Sequence, residues 1–401
     1  MSVPLDRLYH YLDDCVNHDL LIYGWMPHGS RNLDDLVAWL DYSQFEYLNN
    51  SPIICHDQEP LNYSIYSQQQ LKTHAEKVCL IWKFHNWIKD PVLDYMAAQN
   101  IRGMTQSANK FDLTMLLHSE QNSVEVGRYV QNGFVPVYYW AHAVIAMDWF
   151  RYAKHDPKLY FELPNIKKDF LVYNRAWSGT REYRLCFTEQ LIDQKLLDCV
   201  EISFNPVDHQ HYTKHQFKNP ALQINNYTLE QHLSLTEATA TASADYNNND
   251  YNSIGVEVVL ETLFDDFRWH LTEKTLRPIA CGKPFILMAT PGSLQYLKNY
   301  GFETFDDLID ESYDLILNSR ERLDAVVKEI KRIASLDAAT KQVLYTELHE
   351  IALRNKQRFF NGLFDQVIDE YKTNLNNAMI MMNQHCTGIH RARIRELLKQ
   401  N

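Results

Sequence analysis

The chain has 401 residues, 45% of them hydrophobic and 12% aromatic, enough for two domains that each bury a substantial core. A formal net charge of -12 argues against a molecule that clamps nucleic acid or an anionic membrane over its whole surface, and leaves room only for a local basic groove. Seven scattered cysteines (Cys15, Cys55, Cys79, Cys186, Cys199, Cys281, Cys386) form no CxxC pair and read as reduced core residues. With no signal-peptide pattern and no apolar run of roughly 20 residues, the expectation is a soluble cytoplasmic protein without a membrane span.

From the N-terminus, apolar runs at residues 20–23, 52–55, 78–82, 111–117 and 135–139 alternate with amphipathic stretches. That order predicts a parallel sheet with helices on both faces. Periodicity breaks over 155–168, where Asp156-Pro157, Pro164 and Lys167-Lys168 read as a linker. A second set of strands follows at 170–173, 200–204, 256–260 and 285–288, and the Ala-, Ser- and Asn-rich stretch 241–252 reads as a mobile loop. From Glu321 the spacing of Leu323, Val326, Val327, Ile330 and Ile333 is helical, and helical patterning continues toward the end. The fold expected is α/β: two Rossmann-like domains facing a cleft, 1–160 and 168–340, with a helical segment over 341–401. Arg391, Arg393, Arg395 and Lys399 near the end read as a solvated basic helix face.

Three polar clusters follow predicted strands, where open α/β sheets place their ligand crevice. The first, Cys55-His56-Asp57-Gln58-Glu59-Pro60, offers Asp57 and Glu59 as general bases, and as a bland alternative a polar turn. The second runs from Tyr173 through Asn174, Arg175, Gly179, Arg181 and Arg184. Three arginines beside a glycine turn and a helix start suit a pyrophosphate; surface ion pairs with Glu182 and Glu189 are the alternative. The third, His270-Leu271-Thr272-Glu273-Lys274, is followed by an apolar strand and the turn Thr290-Pro291-Gly292-Ser293. A carboxylate beside an ammonium suits a sugar and a phosphate, although Thr272 as an ordinary helix cap yields the same residues. The loop Trp25-Met26-Pro27-His28-Gly29-Ser30-Arg31 lacks a GxGxxG or P-loop pattern, His85, His118 and His142 read as structural, and no metal-ligand spacing appears.

Together the three clusters resemble the inverting α1,3-fucosyltransferase family and its bacterial and phage relatives, which have a GT-B fold. The resemblance spans about 170–314, with Leu271-Thr272-Glu273-Lys274 in place of an aromatic-x-Thr-Glu-Lys motif and His270 where the aromatic stands. It implies Glu273 on the donor ribose or sugar and Lys274 on the phosphates. Glu261 joins the donor site, and Asn174 with Arg184 or Arg181 matches the opening of the family's second domain. It places the base on Asp57, with Glu59 as second acid. The implied activity is metal-independent, cofactor-free, inverting transfer from a GDP- or UDP-linked sugar to a glycan or to a hydroxymethylated pyrimidine of phage DNA. A non-catalytic nucleotide- or sugar-binding protein and a sugar phosphorylase or epimerase are the rival readings.

Overall fold

The structure is a computed structural model that describes residues 22–24, 53–56, 114–123, 126, 135–235 and 245–385. The chain divides into two compact units, Met1–Ile145 with Asp365–Asn401, and Ala146–Phe364. Both are α/β, each built on a parallel sheet.

In the first unit four parallel strands, β1 (Ile22–Gly24), β2 (Ile53–His56), β3 (Thr114–His118) and β4 (Val135–Tyr138), lie in sequence order. Helix α1 (Ala141–Trp149) follows, and the boundary between the units falls within it. His118 is buried, and burial pushes its imidazole down to about 4, in keeping with a structural histidine. The chain returns to this unit at Asp365, within α8 (Leu363–His385). There Tyr371 packs against Tyr139 and the Asn374 amide donates to the Tyr138 carbonyl. The sequence places residues 341–401 together as one helical segment, whereas the structure parts them at 364/365. Helical periodicity shows that a face is apolar and not which core it covers.

The second unit holds β5 (Lys168–Asn174), α2 (Tyr183–Asp193), β6 (Val200–Phe204), the hairpin β7 (Val207–Asp208) and β8 (Gln210–His211), and β9 (Ser234–Leu235). Then come α3 (Asn248–Asn252), β10 (Ile254–Leu260), α4 (Glu273–Cys281), β11 (Phe285–Met288), α5 (Ser293–Asn299), α6 (Ser319–Ala334) and α7 (Ala338–Phe360). The main sheet has the order β11-β10-β5-β6-β9 and all its pairings are parallel. Such strands are covered on both faces and read as continuous apolar runs; every residue of β10 is buried.

The exception to that apolar run is Glu257, a carboxylate that must find a partner. Arg277 of α4 donates to it at 2.7 Å, and Tyr251 donates to its second oxygen at 2.6 Å and accepts from Arg277. Tyr251 belongs to α3, so part of the stretch expected to be a mobile loop is a capped turn of helix instead. Asn247 caps it, and the buried Tyr251 ties it to the core. The residues expected to form a linker are likewise held: the Tyr160 amide donates to Asn252, and Lys283 donates to the Tyr160 carbonyl.

Asn318 caps α6, whose expected stripe Leu323, Val326, Val327, Ile330 and Ile333 is buried, each side chain contributing roughly 1.5–3 kcal/mol. Helix α7 is fastened to the sheet by Tyr345 and Lys341, which both donate to Asp169 of β5 at 2.6 and 2.7 Å. Gly255 permits this, because a Cβ there would meet the Tyr345 ring at 2.7 Å. Among the described residues no helix is long and apolar enough to cross a membrane.

Candidate functional site

The second sheet is wound outward in two directions from β5: to β6 and β9 on one side, then back to β10 and β11 on the other. The strand order therefore reverses between β5 and β10, and ligands of open α/β sheets bind outside the carboxyl ends of the strands at such a point. The loops that leave β5 and β10 there carry Arg175, Arg181 and Glu261, and α4 brings Thr272, Glu273 and Lys274.

Two of the residues expected to hold a donor build this crevice from within. Arg184 is 2% exposed; one terminal nitrogen donates to the Ala176 carbonyl, the other to the carbonyls of Leu260 at 2.6 Å and Glu261 at 3.1 Å. Both terminal nitrogens are thus engaged in closing the β5 loop onto the end of β10, with Tyr183 Oη on the Glu261 carbonyl at 2.7 Å and Thr180 Oγ1 on that of Thr262 at 2.9 Å. Asn174 is fully buried, and its amide donates to Thr188 Oγ1 and the Arg184 carbonyl. Glu182 and Glu189 do not pair with arginines of this cluster. They accept backbone amides of Lys218, Asn219, Asn225 and Asn226, and so fix the long connection beyond β8.

The Glu261 carboxylate is also occupied. Oε1 accepts from the Thr272 amide (2.8 Å), the Thr275 amide (3.3 Å) and Thr275 Oγ1 (2.6 Å); Oε2 accepts from the Thr262 amide (3.0 Å) and Thr272 Oγ1 (2.8 Å). An anion placed on otherwise unpaired amides at a helix start favours that helix, and here the protein supplies the anion itself. Thr272 does act as the N-cap, accepting from the Lys274 amide, while Gly282 at φ 69 closes the far end. Capping does not exclude a ligand role for the two residues that follow, since the cap sets where the buried Glu273 and the part-buried Lys274 leave the helix.

Lys274 Nζ lies 2.8 Å from Glu273 Oε1 and 3.1 Å from Thr272 Oγ1, with 19% of its side chain exposed. Arg175 and Arg181 are half-buried on the facing loop. Burial holds both guanidinium groups below their ordinary pKa; the charge of Arg184 adds to this, while Glu273 and Asp208 oppose it. Asp208, which sequence reasoning missed, lies on the β7–β8 hairpin and accepts from the amides of Ser178 (2.8 Å) and Trp177 (3.1 Å). Burial pushes its carboxyl up, but hydrogen bonds from Ser178 and Trp177 and the nearby His209 outweigh that and hold it below its usual value. An aspartate before His209, which has φ 63, is a turn signal, yet its partners stand 30 and 31 residues away in sequence.

His270 is buried directly before the motif. Its neighbours press on the turn after β11: Trp269 Nε1 donates to the Pro291 carbonyl at 2.8 Å, Thr290 Oγ1 to that of Arg268 at 2.8 Å, and Gly292 adopts φ 80 beneath the Trp269 ring. The start of α5 is already capped, because Asp314 accepts from the Leu294 amide. Burial pushes the Asp314 carboxyl up to about 6.

Asp57 and Glu59 lie outside the described residues, as do Arg391, Arg393, Arg395 and Lys399. Among the described residues no three His, Cys, Asp or Glu side chains gather as a metal site.

No protein-family model and no curated protein matches the chain. Among solved structures it is similar to the crystal structure of α,α-trehalose 6-phosphate synthase from Burkholderia multivorans. The identity is 12%, the match covers 87% of this chain and 76% of that one, and the TM-score is 0.34. A likeness that loose carries no argument about activity.

Proposed function

We propose that the chain is a glycosyltransferase of GT-B type that seats a nucleotide diphosphate-sugar at the carboxyl ends of β5 and β10. The observation that supports this is the grouping of Arg175, Arg181 and Lys274 around Glu273 at the point where the sheet reverses direction. Three cations against one facing carboxylate and Asp208 leave positive charge for a diphosphate, and Glu273 offers an acceptor for sugar or ribose hydroxyls. As the diphosphate leaves, its growing charge is met by groups already in place, which lowers the barrier without reorganisation. Glu261, Arg184 and Asn174 position this arrangement and do not touch the donor.

In this scheme Asp57 or Glu59 removes the proton of the acceptor hydroxyl, which attacks the anomeric carbon with inversion, and no metal is called for. The acceptor is a glycan or a hydroxymethylated pyrimidine of phage DNA; the net charge of -12 favours the glycan. A panel of UDP- and GDP-sugars tests the reading by thermal stabilisation and by sugar transfer or hydrolysis. A donor at 100 times its Kd stabilises the folded state by about 2.7 kcal/mol. Stabilisation by one donor and its loss in Lys274→Ala is expected; no response to any donor, or an unchanged response in that variant, overturns the proposal.

A further inference from the structure

At the opposite end of the same sheet, basic groups converge without a carboxylate bonded to them. Lys283 leads into β11, is 2% exposed, and its ammonium makes a hydrogen bond to the Tyr160 carbonyl at 2.8 Å. An ammonium has three N–H groups, so two are left over. The residue after Tyr160, Phe161, stacks on the His349 ring with centroids 4.1 Å apart, and His349 Nδ1 is buried with no hydrogen-bond partner. Lys356 stands seven residues, two helical turns, beyond His349 on the same face of α7. Its Cδ is 3.1 Å from where a Cβ on Gly282 would sit, so it packs beside the residue preceding Lys283. Two adjacent pairs, Tyr160 with Phe161 and Gly282 with Lys283, thereby bring two ammonium groups and an imidazole to one place.

These groups feel one another. Burial, against an opposing contribution from Cys281 and with a smaller one from the charge of Lys356, holds Lys283 down to about 8. Burial, then Lys283 and Lys356, push His349 down to about 4, against a hydrogen bond with the Gly282 backbone that favours its charged form. Of the groups of opposite sign nearby, burial keeps the Cys281 thiol protonated, while Asp156, held ionised by the Lys158 amide and Tyr246 Oη, acts on Lys356 through its charge and makes no bond to it. Service as a C-cap does not account for the cluster. The closing carbonyls of α4 are met by backbone amides, Gly282 N on Ile279 and Lys283 N on Pro278, and the Lys283 ammonium goes to Tyr160 instead.

We infer that Lys283 and Lys356, flanked by His349, form a seat for a small free oxyanion of the phosphate class, separate from the proposed donor site. The oxyanion accepts the two remaining Lys283 N–H groups and the Lys356 ammonium, and enters past the half-exposed Lys356, while His349 flanks it with a hydrogen bond to the Gly282 backbone. Because Lys283 is almost entirely buried, a phosphate carried on a polymer does not reach it. The seat does not depend on the proposed donor chemistry.

The test follows thermal unfolding of the full chain in phosphate-free buffer as inorganic phosphate, sulfate, glycerol phosphate or chloride is added at matched ionic strength. A saturable rise with phosphate and sulfate but not chloride is expected. Glycerol phosphate separates a seat for the free ion, where it fails, from one that also takes a phosphomonoester, where it succeeds. The phosphate-dependent increment should weaken at least tenfold in apparent affinity in Lys283→Met and in Lys356→Met, and persist in Lys274→Ala. Lys356 is half-exposed, so its variant keeps the test available if the Lys283 variant folds poorly; line broadening of the phosphorus resonance gives an independent readout. An increment unchanged in Lys356→Met, lost in Lys274→Ala, or matched by chloride overturns the seat.

Discussion

At the carboxyl ends of β5 and β10 the buried cations are answered from within the protein. Arg184 meets backbone carbonyls, Arg277 meets Glu257 and lies over the Tyr173 ring, and Arg175, Arg181 and Lys274 share Glu273 and Asp208. At the amino ends Lys283 and Lys356 gather beside His349 with backbone bonds, Lys283 to the Tyr160 carbonyl and His349 to Gly282, and no ion pair. One end has used much of its charge to shape a crevice, and the other has left its donors unspent. An arginine near a ligand crevice is therefore not by that fact a ligand contact; what its terminal nitrogens already hold decides the matter.

The largest effect that bears on this contrast comes from Arg184→Met. It strands several carbonyls at the reversal point and should cost about 3–5 kcal/mol in urea unfolding. A cost below 1 kcal/mol would return Arg184 to the ligand side of the comparison. Arg277→Met should cost about 3 kcal/mol by leaving Glu257 buried and unpaired, and adding Glu257→Leu should recover most of that loss. Failure of the second change to compensate would mean that Tyr251 and the ring of Tyr173 matter more than the ion pair. Lys274→Ala should lower donor affinity at least tenfold while costing about 2 kcal/mol in stability, since its pairing with Glu273 is largely buried but Arg175 and Arg181 still face that carboxylate. A large stability loss with intact donor affinity would make Lys274 structural.

The smallest effects are slopes with pH, and Glu311 and Lys283 should give slopes of opposite sign. Glu311, near Asp314, is pushed by burial from 4.5 up to about 7. The folded state therefore holds its proton where the unfolded state has lost it, and stability falls as pH rises through that window. Lys283 is held from 10.5 down to about 8, so the unfolded state binds the extra proton and stability rises between those values. Urea midpoints across pH should show the lower slope diminished in Glu311→Gln and the upper slope diminished in Lys283→Met. An unchanged upper slope in Lys283→Met would mean that the cluster at the amino ends does not hold that ammonium down.

Much of the fold is legible in the sequence because buried parallel strands announce themselves as apolar runs. β5, β6, β10 and β11 fall where Phe170, Val200, Val256 and Phe285 lead such runs. The stripe of α6 is equally plain. The site is legible only as a neighbourhood. A guanidinium committed to the carbonyls of Ala176 and Leu260 and one poised for a phosphate are both arginines near a glycine turn, so Arg184 and Arg181 look alike until the ends of β5 and β10 are brought together. Glu261 is hidden for the same reason, since its partners Thr272 and Thr275 come 11 and 14 residues later. Asp208 depends on a hairpin folding back over the β5 loop, a contact without a periodic signature.

The return of the chain at Asp365 has a consequence for biosynthesis. The second unit is one continuous stretch, Ala146–Phe364, whereas the first needs residues from both sides of it. On a ribosome the later unit has its whole sequence available before the earlier one does, because Tyr371 and Asn374, which meet Tyr139 and Tyr138, emerge after all of it. A nascent chain halted shortly after Phe364 clears the exit tunnel should therefore carry a protease-resistant second unit and a still-sensitive first one, reversing the order in which their N-terminal residues are made.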